Sequence, residues 1–279
     1  MIDRLLRAGA NANATLANGE TALMTASRTG SLEAVRLLVA HGAQVNAREP
    51  MRNQTALMWA VAERHADVTR VLVEAGADVG ARSTVRRMLT NAGQDGIRRL
   101  SGDYTDFIDE DQGGYTPLLL AARSGDALSA RLLVRAGANV NETTPLGTTP
   151  LVVAAFSGQS DTADTLLDLG ADPNAADNSG STPLLWAACI PARVKLLLNK
   201  GANPNAKDDF DRTALMRAAR RGHTTAVQRL LEAGVNTEAS DQYGATALMG
   251  AAAPDPMPVC AHSRSAVPRM PSASRGSSA

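Results

Sequence analysis

A short phrase of threonine, then proline or alanine, then leucine returns along the chain at nearly constant spacing. The steps between successive threonines are 34, 61, 33, 33, 31 and 33 residues, and the threonines are Thr21, Thr55, Thr116, Thr149, Thr182, Thr213 and Thr246. A second phrase, typified by Gly-Ala-Asn-Val-Asn at residues 137–141, follows within each period. Self-similarity at this period marks stacked repeats, so the sequence predicts one unit of two short helices per period.

The physics of one unit can be read from residues 114–141. Thr116 can cap the first helix, and Pro117 takes the first helical position, which needs no amide donor. Residues 118–122 are apolar on nearly every side, so this helix should be buried between its neighbours. A second helix with apolar residues at 132–134 should end at Gly137, where a left-handed cap costs glycine little. The second helices are therefore expected to form an outer layer.

Residues that tolerate a positive φ stand two places before each threonine, which predicts a hairpin-like turn between units. They are Gly19, Asn53, Gly114, Gly147, Gly180, Asp211 and Gly244. No unit can bury its own apolar helix face, so each must be stabilised by its neighbours. The expected fold is a one-dimensional, all-α stack.

The period, the Thr-Pro-Leu start, the central Ala-Ala pair and the Gly-Ala-Asn/Asp-Val-Asn close resemble ankyrin repeats over about residues 1–253. The resemblance implies an all-α ankyrin-repeat solenoid of helix-turn-helix units that grips a protein partner on its concave side. One departure is consistent. Ankyrin repeats typically carry histidine after Thr-Pro-Leu, whereas Met24, Met58, Leu119, Val152, Leu185, Met216 and Met249 stand here. The hydrogen bonds of that histidine should therefore be absent.

The pattern breaks at three places. The first unit is only a closing half, which suggests that an upstream half is missing and could include a secretion signal. The step of 61 contains an insertion of 28 residues within about 82–112, basic at its start and acidic at its end. This insertion could be a docking element or a solvated, partly helical excursion. Residues 254–279, rich in proline and serine, are expected to form a disordered tail.

Composition argues against several classes of function. The formal net charge is zero and aromatic residues make up 3% of the chain, so neither nucleic acid nor a membrane is an expected partner. The four histidines lie apart from one another, and no phosphate loop or nucleophile motif occurs. We expect no enzymatic activity, no catalytic residue, no metal and no cofactor.

The function expected is a non-catalytic scaffold that binds a partner protein. Its candidate contacts are aromatic and arginine residues at turn tips and first-helix ends, because such side chains anchor interfaces. They are Tyr115, Arg123, Phe156, Phe210, Arg212, Arg220, Arg221 and Tyr243. Trp59 and Trp186 are expected to pack in the core. In the alternative reading, the chain is a fragment of a larger or secreted effector in which the repeats serve only targeting or stability. We expect a monomer, cytoplasmic as written and secreted if an upstream signal is missing.

Overall fold

The computed structural model describes the backbone of residues 1–91 and 107–252 and the side chains of residues 1–85 and 113–252. The predicted tail at 254–279 and the middle of the insertion lie outside the described residues. The repeat array itself is helical, as the sequence predicts.

Seven first helices begin directly after the repeated threonines. They are α2 (Ala22–Thr29), α4 (Ala56–Ala62), α6 (Pro117–Ser124), α8 (Pro150–Ser157), α10 (Pro183–Ala187), α12 (Ala214–Arg220) and α14 (Ala247–Ala252). At α6 the Thr116 hydroxyl accepts a hydrogen bond from the Leu119 N–H at 3.3 Å, and the same bond recurs at the other first helices. The threonine spacing therefore fixes where each unit begins.

The second helices form an outer layer. They are α1 (Ile2–Arg7), α3 (Leu32–Ala40), α5 (Ala66–Glu74), α7 (Ala127–Arg135), α9 (Ser160–Asp168), α11 (Pro191–Asn199) and α13 (Thr224–Glu232). Each first helix packs on the first helices of adjacent units, and each second helix on the second helices of adjacent units. Leucine and alanine side chains of both layers merge into one continuous buried core. The molecule is a two-layer stack whose stability comes from contacts between neighbours.

An asparagine ladder also joins the units. The Asn46 side chain donates to the Gly76 carbonyl at 3.0 Å and accepts from the Asp78 N–H at 2.7 Å. Asn13, Asn141 and Asn174 make the same pair of bonds to the units that follow them. This ladder supplies regular hydrogen bonds between units. In these units the position after Thr-Pro-Leu, where ankyrin repeats typically carry histidine, is apolar.

In most turns between units, a backbone hydrogen bond joins two residues that are separated by three others. We call these turns fingers. In one finger the Asp208 N–H donates to the Arg212 carbonyl at 3.1 Å, with residues 209–211 at the tip. As the turn chemistry predicts, Asn53 and Asp211 have positive φ values of 58° and 59°. The finger tips and the ends of the first helices lie on the same side of the stack.

The insertion is an elongated finger. Its closing bond, from the Ser83 N–H to the Tyr115 carbonyl at 2.9 Å, matches that of the ordinary fingers, but residues 84–114 replace the usual three. The strands β1 (Arg86–Asn91) and β2 (Phe107–Gln112) pair antiparallel, with Arg86 opposite Gln112. The two described ends of the insertion are strands that continue the register of the finger, so the helical part of the expected excursion does not lie in these segments.

Candidate protein-binding surface

One surface of the array is formed by the finger tips and by the ends of the first helices, and we call it the finger face. It carries seven half-buried or exposed members of the candidate set between Tyr115 and Arg221, and Tyr243 at its end. Aromatic rings and guanidinium groups are interspersed along it, with contacts between them both within units and across unit boundaries.

The centre of the finger face is Trp186 of α10. Its ring lies edge-on to Phe156 of α8, with the centroids 5.3 Å apart. The Arg217 guanidinium of α12 lies 5.6 Å from the Trp186 ring centroid, within the range of a cation–π contact. The indole N–H donates to the Asp177 carboxylate at 2.8 Å. Three consecutive units thus place one aromatic or cationic group each into a single cluster.

Asp208 links this cluster to the next finger. Its side chain is fully buried, and its Oδ2 accepts hydrogen bonds from Arg217 and from Arg212, both at 2.8 Å. Burial opposes the charged form, but hydrogen bonds from Arg217 and from the Arg212 backbone N–H outweigh it and lower the pKa of Asp208 from its ordinary value. A carboxylate therefore holds two arginines in fixed orientations.

The tip of the same finger carries an exposed aromatic ring. Phe210 is 38% exposed, and the Arg212 guanidinium lies 4.7 Å from its ring centroid. Phe156, Trp186, Arg217, Asp208, Arg212 and Phe210 are therefore connected by an unbroken series of contacts. We call these six residues the central cluster.

Two further cation–aromatic pairs lie toward the start of the chain. The Arg123 guanidinium lies 5.5 Å from the Tyr115 ring, which brings together two predicted contacts from one unit. The Arg28 guanidinium lies 5.5 Å from the Trp59 ring and forms a salt bridge to Glu20 at 3.1 Å. The same kind of pair thus recurs along the finger face.

The remaining predicted contacts lie toward the end of the chain. Arg221 donates to the Cys189 sulfur at 3.1 Å. Arg220 lies against α14, where a side chain at Gly250 would come within 3.3 Å of the Arg220 Cβ. Tyr243 is 69% exposed at the tip of the last finger. These three residues extend the finger face beyond the central cluster.

The base of the elongated finger is held by Arg82 and Glu142. Arg82 donates to the Gly114 and Thr143 carbonyls at 3.0 and 2.9 Å, and the Thr116 hydroxyl donates to Glu142. Burial raises the pKa of Glu142, although the hydrogen bond from Thr116 and the charge of Arg82 oppose the increase. The other units carry alanine five residues after the glycine, where this unit carries Glu142. The contacts of Glu142 therefore distinguish the base of the elongated finger from the bases of the other fingers.

Comparison with known proteins agrees with this geometry. The family model for ankyrin repeats in three copies matches residues 1–83, 85–177, 118–208 and 184–256. The chain belongs to the ankyrin repeat family. A search of curated proteins gave no match.

Among solved structures, the ankyrin array is similar to the ankyrin repeat domain of Bcl-3, which is described as a unique member of the IkappaB protein family. The two share 30% sequence identity with a TM-score of 0.66, over 84% of this chain and 94% of that chain. Ankyrin repeats are general protein-interaction modules, and the comparisons indicate no enzymatic family.

Sequence reasoning missed three central members of this ankyrin surface. Trp59 packs partly against the core as predicted, but Trp186 is half-buried and lies between Phe156 and Arg217. Trp59, Trp186 and Arg217 all stand four residues after the repeated threonine. The residue type at that position varies from unit to unit, and this variation is the sequence feature that could have identified these residues. Asp208 could not be found in this way, because its role depends on an arginine from the following helix.

No group of three or more histidine, cysteine or acidic residues in the described parts of the chain could hold a metal ion. Within residues 1–91 and 107–252, no helix combines the length and apolar character that a bilayer crossing requires.

Proposed function

We propose that this ankyrin array is a non-catalytic scaffold that binds a partner protein through the concave, finger-bearing side of the stack. The observation that carries the proposal is the central cluster, in which aromatic rings and arginines from several units are held at fixed positions on one surface. Tryptophan, arginine and phenylalanine are enriched in the cores of protein interfaces, where they bury large areas against the partner.

The orientation of the arginines supports the proposal. Arg217 and Arg212 are only 16% exposed in their side chains and are bound to a buried carboxylate, so a partner need not immobilise them. Pre-organised side chains cost less entropy on binding than free ones. The elongated finger, which leaves the same side of the array, is proposed as a second contact for the partner.

Affinity capture from a lysate of the source cells, with the full chain as bait, tests this proposal. The finger-face variant carries Arg123→Ala, Phe156→Ala and Phe210→Ala. The matched control carries Arg135→Ala, Leu128→Ala and Leu231→Ala, which remove the same kinds of side chain from exposed places on the outer helices. We expect a partner that the wild type and the control retain, and that the finger-face variant loses although it still unfolds in one cooperative transition.

Two outcomes would contradict the proposal. Equal retention by both variants would show that binding uses another surface. If no partner is retained above a column without bait, the alternative is favoured in which the repeats serve as a targeting or stability module of a larger protein.

A further inference from the structure

Three positions of each unit line the finger face: the residue before the repeated threonine, and the fourth and seventh residues after it. Contacts join these positions, as between Tyr115 and Arg123 within one unit and between Phe156 and Trp186 across two units. In the four units that begin at residues 116, 149, 182 and 213, we call these twelve positions the inner rows. None of the twelve residues is acidic, and four are basic: Arg123, Arg212, Arg217 and Arg220. The whole chain has 28 acidic and 28 basic residues, so its charge is unevenly distributed.

The acidic side chains closest to the inner rows are bound within the fingers. Asp208 is fully buried and binds both Arg212 and Arg217, so these three groups together carry a net charge of +1. The Asp177 carboxylate accepts hydrogen bonds from backbone N–H groups of its own finger and from the Trp186 indole. Both carboxylates therefore bind donors of the array itself, and the inner rows form a positive surface.

Other acidic side chains of the finger face lie elsewhere. Asp211 is at a finger tip and forms a salt bridge to a lysine of the same finger at 3.1 Å. Asp209 is at the same tip, where its N–H donates to a carbonyl of the preceding finger at 3.1 Å. In an earlier unit, Glu20 pairs with Arg28 at 3.1 Å. The positive character is therefore concentrated in the inner rows.

Along the stack, the inner rows are basic at both ends and aromatic in the middle. Arg123 lies in the first of the four units, and Arg217 and Arg220 lie in the last. Phe156 and Trp186 lie in the two units between them, half-buried and with their ring centroids 5.3 Å apart. A ligand that crosses all four units would therefore meet positive charge, then apolar surface, then positive charge again.

The length of this surface matches a short extended peptide. Arg123 and Arg220 occupy the same position in units that are three steps apart. Packed helices lie roughly 8–10 Å apart, so the two arginines are separated by roughly 24–30 Å along the stack. An extended chain advances about 3.3 Å per residue, so about seven to nine residues span this separation.

We propose that the inner rows bind an extended acidic segment of the partner protein, with carboxylates about eight residues apart at its two ends and apolar side chains between them. One end binds Arg123, the other binds Arg217 and Arg220, and the apolar side chains pack on Phe156 and Trp186. A guanidinium has five N–H donors, which bind carboxylates well. The inference rests on the function proposed above and adds the chemistry of the partner.

Selection from a phage-displayed library of random peptides tests the proposal, with the full chain as the target and peptides of about twelve residues, longer than the expected span. We expect the selected peptides to be enriched in Asp and Glu at two places about eight residues apart, with apolar residues between them. Enrichment of peptides without this pattern would overturn the proposal, and so would a selection that enriches no peptide.

Charge reversal then tests each end separately, with the anisotropy of a fluorescein-labelled selected peptide as the measurement. We expect Arg123→Glu and Arg220→Glu each to weaken binding at least about tenfold. Lysines in place of the carboxylates at one end of the peptide should restore binding to Arg123→Glu, and lysines at the other end should restore binding to Arg220→Glu. Arg135→Glu, at an exposed position on the outer layer, is the matched control and should bind like the wild type.

Unchanged affinity in both reversed variants would contradict the proposal. So would equally tight binding of a labelled oligothymidine with the same dependence on the arginines, which would indicate a nucleic acid ligand. Failure of this inference can be distinguished from failure of the proposed function. Peptides without carboxylates that the finger-face variant loses would contradict only the acidic chemistry, whereas peptides that bind this variant as tightly as the wild type would contradict both.

Discussion

Four hydrogen bonds of the finger face converge on the Asp208 carboxylate. Its Oδ1 accepts from the backbone N–H groups of Phe210 and Arg212 and shapes the finger, while its Oδ2 binds the Arg212 and Arg217 side chains. One buried carboxylate thus fixes both a turn and the direction of two cations. Its lowered pKa means that its charged form stabilises the folded state.

We expect Asp208→Asn to lower the free energy of unfolding at neutral pH by about 2 to 4 kcal/mol, because it removes the buried negative charge that Arg212 and Arg217 both bind. Urea denaturation measures the difference. Asp209→Asn, at the exposed neighbouring position, is the control and should change stability by less than about 0.5 kcal/mol.

The effect should depend on pH in one direction. A carboxyl with a lowered pKa contributes its stability above the pKa of the unfolded chain, about 3.9, and loses it as the pH falls through the lower folded value. The gap between wild type and Asp208→Asn should therefore narrow under acid conditions. A gap that stays constant down to low pH would contradict the assigned role of the charge.

At the scale of elements, the asparagine ladder shows how one unit is aligned on the next. The ladder position of the third unit is Gly80, whose N–H donates to Asp78 at 2.9 Å. The ladder residue Asn141 makes the same local bond to Asn139, at 3.0 Å. The backbone at Gly80 therefore already has the shape that a ladder asparagine requires. The hydrogen bonds that are missing at Gly80 would join its unit to the unit with the elongated finger.

We expect Gly80→Asn to raise the free energy of unfolding by about 1 to 2 kcal/mol, through new hydrogen bonds to the Gly137 carbonyl and the Asn139 N–H and through lower entropy of the unfolded chain. Chemical denaturation compares it with Gly80→Ala, which isolates the entropic part. If Gly80→Asn raises the free energy of unfolding no more than Gly80→Ala does, the expected hydrogen bonds do not form.

At the scale of the whole molecule, the array and the elongated finger are separable. The closing bond between Ser83 and Tyr115 and the contacts of Arg82 preserve the ordinary geometry at the base of the finger. In a stack held by nearest neighbours, material added at a finger tip lies outside the interfaces that stabilise the units.

Replacing residues 84–114 with Asn-Ser-Gly, the tip of a later finger, should therefore leave a cooperatively folded array. We expect stability to be equal or higher by up to about 2 kcal/mol, because a shorter loop costs less closure entropy. Thermal melting followed by circular dichroism checks this. Loss of cooperativity would show that the hairpin stabilises the stack, whereas loss of partner capture alone would support its role as a second contact.

The sequence by itself determined the ankyrin fold, the start of each first helix and the positive φ values at the turns between units, because caps, proline and glycine act over a few residues and recur in register. It also found the side chains that form the Phe210–Arg212 and Tyr115–Arg123 pairs. Only the tertiary structure decided that Trp186, Arg217 and Asp208 meet and that the insertion extends a finger. Those contacts join residues from different units or opposite ends of a loop, and their energies depend on burial and distance, which no local pattern encodes.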